Sequence, residues 1–188
     1  MIVITTTKSS VKLEAIKKIL NPSSIISYST ENAGLPAQPV NTGLICCHER
    51  INFIKSMNDL SNIKYDYIIS IENGIDTINH YEKGGDAYHF VDICYIVIED
   101  NLGNRQEYES VAIPIPTKYL EKAQNATSAN YKYRNLGYEY TAGSMINKEF
   151  PHIDSTNWMN DPKFGGFSRV KQIESAINNV KHIHQQLI

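Results

Sequence analysis

The chain has 188 residues, 41% of them hydrophobic and 20% charged, with a net charge of -2. That length suits one domain with a sizeable core rather than two, and the near-neutral balance gives no general pull toward nucleic acid. No stretch approaches the ~18 apolar residues of a membrane span. The opening MIVITTTKSSVK also lacks the charged segment and long apolar run of a secretory leader. The expected location is the cytoplasm, with neither nucleic acid nor membrane as partner. Three cysteines, two of them adjacent as Cys46 and Cys47, make neither a disulfide framework nor a zinc spacing. They are read as small core residues, the commonest fate of a free thiol.

IVIT at 2–5 reads as a short buried strand, and Val11, Ala15, Ile16, Ile19 and Leu20 then fall on one helical face. Ser9 or Ser10 serves as N-cap, and Asn21-Pro22 stops the helix. SIISYS at 24–29 is a second strand, and the Pro-, Gly- and Asn-rich stretch 31–43 is a loop. Leu44, Cys47, Ile51 and Ile54 mark a second helix. YDYIISI at 65–71 and YHFVDICYIVI at 88–98 are strands, and DNLGN at 100–104 is a hairpin turn into QEYESVAIPI. Pro114 and Pro116 end that strand before a short helix beginning TKYLEKA. Residues 126–167 read as loops around one or two short elements. A last helix carries Val170, Ile173, Ile177 and Val180 at helical spacing. Strands alternating with helices, plus one hairpin, give an α/β fold with a mixed β-sheet flanked by helices.

Three stretches and a few single residues carry candidate chemistry. TTTKSSVK at 5–12 joins the first strand to the first helix, where free amides, the helix dipole, hydroxyls and Lys12 suit a phosphate. It lacks the glycines of a nucleotide-binding P-loop, so a Ser-capped surface helix is the competing reading. In SIENGID, Glu72 falls at the carboxyl end of a strand, where ligands collect in open α/β sheets. There it holds Mg²⁺ or orients a water, or it simply stands in solvent beside an Asn-Gly turn. Asp76 reads as a turn residue, whereas Asp92, in an apolar strand, needs a partner if buried. TAGS at 141–144 is a tight ligand loop or a plain turn, and Arg169 is a surface charge or an arm over a base or phosphate. Trp158 fits a packing anchor. His182 and His184 lack neighbours at metal spacing and read as surface and rim residues.

In their order along the chain, TTTKSSVK, GLPAQP, the helix with Arg50, SIENGID, VAIPIP, TAG and RVKQIESA resemble the inosine/xanthosine triphosphatase family. These non-canonical purine nucleoside triphosphate hydrolases share the inosine-triphosphatase-like (Maf/Ham-type) architecture of the house-cleaning nucleotide pyrophosphatases. The resemblance spans nearly the whole chain. It implies one NTPase-like domain over 1–188, with an insertion or lid around 144–167, and a homodimer. The implied activity is Mg²⁺- or Mn²⁺-dependent hydrolysis of ITP and XTP, to the diphosphate and phosphate. Lys12 and Glu72 would be catalytic. Thr6, Thr7, Lys8, Ser9, Ser10, Lys12, Arg50, Asn73, Thr141, Gly143 and Arg169 would bind the purine nucleoside triphosphate. Glu72 would hold the metal with help from Glu31, because the family's Pro-Glu-Gln-Pro loop here reads Pro36-Ala37-Gln38-Pro39. In the helix segment that reads Gly-Ala-x-Asn-Arg in the family, only Arg50 is kept. A non-catalytic nucleotide sensor or adaptor on the same fold is the rival reading.

Overall fold

A computed structural model describes residues 1–57, 60, 62–82 and 85–184, except for the side chains of 79–82, 85–89 and 179–184. His182 and His184 therefore lie outside the described side chains. The element order is β1 (Ile2–Thr5), α1 (Ser10–Leu20), β2 (Ser24–Ser27), β3 (Gln38–Pro39), α2 (Gly43–Ser56), β4 (Tyr67–Glu82) and β5 (Gly85–Asp100). β6 (Arg105–Glu109), β7 (Ile113–Pro114), α3 (Thr117–Ala126), β8 (Gly137–Tyr138), α4 (Ala142–Glu149) and α5 (Arg169–His184) follow. The fold is α/β, with a mixed sheet flanked by helices. The sheet runs β2-β1-β4-β5-β6, with β7 also on β5, and β3 and β8 pair separately. β1 is parallel to both β2 and β4, while β4, β5 and β6 are antiparallel neighbours. No helix of the described residues is long and apolar enough to cross a membrane.

The period-2 alternation of β4 divides its side chains between two layers. Ile69 and Ile71 join Val3 and Ile96 under α1 and α5, packing against Ala15, Ile16, Ile173 and Ile177. On the opposite face Ile68, Ile4 and Val97 pack against Cys47, Ile51 and Ile54 of α2. The helical faces read from sequence are thus the buried faces of α1 and α2. A third cluster, around Ile75, gathers α3, α4 and the chain through Trp158 and Met159. Trp158 is fully packed there, edge-on to Phe164.

Several elements differ from the sequence reading. β4 does not stop at Ile71 but continues ten residues or so beyond it, through Glu72 and Asp76, because every position to Glu82 pairs with β5. Asn73-Gly74 therefore makes no turn, and Asp76 is a strand residue that accepts the Tyr95 hydroxyl's hydrogen bond. Glu72 nonetheless lies past the end of β1, whose pairing with β4 ends at Thr5 and Ile69. The expected strand from Gln106 splits into β6 and β7, and β2 ends at Ser27. Residues 126–167, read as loops around one or two short elements, hold β8, the eight-residue helix α4 and two three-residue helical turns at Trp158–Asn160 and Pro162–Phe164.

Gly43 opens α2 where that helix lies flat on β4 and β5. A Cβ at this position would enter the ring of the buried Tyr95, and one at Gly74 would press on the Gly43 backbone. Gly43→Ala is expected to destabilise the fold by about 1–3 kcal/mol, the usual cost of overpacking, read as a lower urea midpoint with unchanged slope.

All three cysteines are buried and free. Burial raises the Cys46 thiol from 9.0 to about 11 and the Cys94 thiol from 9.0 to about 12, with the charge of Glu72 adding to the rise at both. Below about pH 9 both thiols are neutral in folded and unfolded chains alike, so their contribution is then present in full. Above it the unfolded chain releases these protons first, so stability is lost as the pH climbs toward 11 to 12. Wild type should lose stability between pH 8.5 and about pH 10.5 more steeply than Cys46→Ala/Cys94→Ala; parallel slopes in urea titrations would rule the thiols out.

Candidate functional site

Beyond the end of β1, α1, β4, β5, α4 and α5 surround a cavity of about 260 Å³. Seven of the residues assigned to the site from sequence line it, Ser9, Lys12, Glu72, Asn73, Thr141, Gly143 and Arg169, and so do Asp92 and Trp158. Lys8, Ser10 and Glu31 are exposed and do not line it, nor do Thr6, Thr7 and Arg50. The structure therefore does not bring Glu31 to the cavity beside Glu72.

The N-terminus of α1 faces this cavity with an open end. Ser9 is the N-cap, but its hydroxyl makes no capping bond, contrary to the expectation that it would satisfy an amide. The backbone N–H groups of Ser10, Val11 and Lys12 have no acceptor among the described residues. Thr7 Oγ1 instead accepts from the Ser9 N–H at 3.1 Å, which holds the turn ahead of the cap. Thr6 is structural: its N–H donates to Ile69 O, and its hydroxyl donates to Ser70 Oγ at 3.0 Å. The two other helix N-termini at the cavity, those of α4 and α5, are better covered. Thr141 Oγ1 accepts from Ser144 N on α4, and on α5 Asn157 Oδ1 accepts from Arg169 N at 2.7 Å.

Glu72 sits between two cations. Its Oε2 is 2.6 Å from Arg50 Nε, a contact too bent to count as a hydrogen bond, and its Oε1 is 3.9 Å from Lys12 Nζ. Arg50 reaches it from α2 and is braced by Thr30, whose Oγ1 accepts from Nη1 at 2.5 Å. Lys12 donates to Ile71 O at 2.7 Å, which fixes the ammonium at the strand edge. Arg50 thus acts on Glu72 from behind, outside the cavity wall.

Asp92 has found its partner in Arg169. The two form a bidentate pair at 2.5 and 3.0 Å, with both side chains almost fully buried. Arg169 also donates from Nε to Thr156 O and from Nη1 to Gln172 Oε1. One Nη2 hydrogen alone lacks an acceptor among the described residues, so this guanidinium is a strut more than a free arm. Gly143 does permit close approach, but to the protein's own chain: a Cβ there would strike the Ser155 carbonyl and the Trp158 ring. Gln38, Ser155, Thr156 and Gln172 were not anticipated; the first three line the cavity, and Gln172 stands behind it. Asp92 alone among the unassigned residues had a signal, a carboxylate inside an apolar strand.

Among the described residues no three of His, Cys, Asp and Glu cluster as a self-sufficient metal site. The donors do fit a cation shared with a ligand. Mg²⁺ is commonly held by one or two carboxylates plus substrate phosphates, and Glu72 Oε1 has only the long contact to Lys12. The sequence matches no family model.

Removing Arg169 leaves Asp92 charged and unpaired in the interior. Arg169→Ala is expected to cost about 3–5 kcal/mol, measured by urea unfolding, and adding Asp92→Asn should recover part of the loss. Equal stability of Arg169→Ala and wild type would refute the strut.

Proposed function

We propose that the chain is a nucleoside-triphosphate phosphatase that hydrolyses ITP and XTP and so clears deaminated purines from the nucleotide pool. The observation that carries this reading is the uncapped end of α1, which opens with Lys12 onto the same cavity as Glu72. Three unpaired amides, a helix dipole and an ammonium attract a phosphate group. A carboxylate at the same wall has no use for that anion unless a cation or a water lies between them. The family resemblance supplies the substrate class, the Maf/Ham-type architecture and the homodimer as parts of this proposal, and the cytoplasmic location is carried over from the sequence reading.

In this reading the Val11 and Lys12 amides and the Lys12 ammonium hold the polyphosphate and offset the charge that develops on it during transfer. Arg50, braced by Thr30, keeps the Glu72 carboxylate in place. Glu72 would hold Mg²⁺ or Mn²⁺, which would supply neutralising charge for the phosphates, and would orient the attacking water. Discrimination against adenine follows from groups that pair with the 6-oxo edge, since a purine lacking it leaves them unpaired. The family pattern points to release of phosphate and the diphosphate.

Ala37 favours a second reading. It lines the cavity at the position where the family carries an acid, so the same pocket could bind a nucleotide without turning it over.

Release of phosphate and pyrophosphate from ITP, XTP, GTP and ATP with Mg²⁺ or Mn²⁺ separates the two. The hydrolase should prefer ITP and XTP to ATP by at least about tenfold, and Glu72→Gln should lower kcat/KM by about a hundredfold. ITP binding without turnover, with turnover appearing in Ala37→Glu, would establish the sensor instead.

A further inference from the structure

The polarity of the Asn73 amide at the cavity wall can be deduced from its surroundings. Two of its neighbours cannot be turned around. Arg169 offers only donors, and the Asp92 carboxylate paired with it offers only acceptors. Arg169 Nη1 lies 2.7 Å from one end of the Gln172 amide, so that end is the oxygen. The other end of Gln172 lies 2.9 Å from Asp92 O and 3.2 Å from Asp92 Oδ1, both acceptors, as befits the nitrogen. Asn73 then meets two acceptors with one end of its own amide: Asp92 Oδ1 at 3.1 Å and Gln172 Oε1 at 3.2 Å. That end must be Nδ2. Its Oδ1 has no donor among the described residues, and Asn73 lines the cavity.

We propose that Asn73 Oδ1 is a fixed acceptor on the cavity wall and determines specificity by requiring an N–H or O–H donor on the ligand beside it. Turning the amide over would set oxygen against two oxygens and abandon two hydrogen bonds, so the ligand cannot re-orient it cheaply. The cavity is thus divided. Donors crowd the α1 end, and an acceptor stands at the Asp92 end, which repels phosphate. A nucleotide whose phosphates occupy the α1 end presents its nucleoside to Asn73. Built on the nucleotide reading above, the donor is the N1–H of a 6-oxopurine or a ribose hydroxyl. Adenine carries an acceptor at N1 and would meet oxygen with nitrogen lone pair.

The test is equilibrium binding, which does not depend on turnover. ITP, N1-methyl-ITP and 2′-deoxy-ITP are titrated by calorimetry in Ca²⁺ against wild type and Asn73→Ala, with folding checked by circular dichroism. Wild type should bind one analogue about five- to tenfold more weakly than ITP, the cost of one neutral hydrogen bond. Loss at the N1-methyl analogue assigns the base, and loss at the deoxy analogue assigns the sugar. In Asn73→Ala that difference should vanish while ITP itself weakens to the level of the poorer analogue. Unchanged discrimination in Asn73→Ala overturns the proposal and leaves the nucleotide reading standing. Failure of wild type to bind any of the three overturns the nucleotide reading and with it the donor assigned here. The lock itself is read without ligand: the Asn73 side-chain NH₂ resonances should be protected from exchange in wild type and lose that protection in Gln172→Met. Fast exchange in wild type would overturn it directly.

Discussion

The buried pair of Asp92 and Arg169 is the contact on which the rest of the cavity depends. Asp92 stands in β5, where a lone carboxylate would be costly to desolvate. Arg169 supplies the countercharge from the first residue of α5, and in doing so it fixes where that helix begins. Its Nε holds Thr156 O, and Asn157 returns a bond to the Arg169 backbone, so the 155–158 segment is fastened to the same point. That segment is what Gly143 packs against. One ion pair thereby joins the central sheet, α4, α5 and the intervening chain. Its role is geometric, since a buried pair seldom adds net stability over an apolar one.

Glu72 is built differently, although it too is nearly buried. Its cations come from two helices on opposite faces of the sheet, Lys12 from α1 and Arg50 from α2. This is possible because Glu72 lies just beyond the last β1 residue paired to β4, where the sheet no longer separates the two layers. The parallel half of the sheet ends there and the β4–β5 ribbon runs on. The end of one strand thus creates the opening, while the continuation of its neighbour carries the carboxylate into it.

This explains what could be read from the sequence. α1, α2 and α5 were legible because their apolar residues repeat at the helical period and meet one layer each. β4 was read too short because Glu72, Asn73 and Asp76 interrupt its apolar run and Asn-Gly favours a turn locally. Cross-strand pairing with β5 overrides that preference, and nothing within seven residues of Glu72 announces it. The start of α1 was legible in part: free amides were expected there, but Ser9, a good capping residue by type, was also expected to satisfy one, and its hydroxyl makes no capping bond. The partner of Asp92 lay 77 residues away, beyond the reach of any periodicity. Lys12, Glu72 and Arg169 were found because charges beside strand ends and helix starts are chemically conspicuous, whereas Gln172 and Ser155 are ordinary residues made important by their neighbours.

The charges around the cavity explain why its two ends differ. Lys12, Arg50 and Arg169 stand against Glu72 and Asp92, leaving one positive charge over. Arg169 is spent on Asp92 at hydrogen-bond distance, and Arg50 on Glu72 at 2.6 Å. Lys12 is the remaining cation: it is 3.9 Å from Glu72 and tied by hydrogen bond only to a neutral carbonyl. The unbalanced charge is therefore located at the α1 end, next to the three open amides. An anion arriving at the cavity is drawn to that end by both the dipole and the ammonium. At the other end the Arg169 charge is already neutralised, and Asn73 presents oxygen. The same two carboxylates that organise the fold thus set the two ends of the cavity apart.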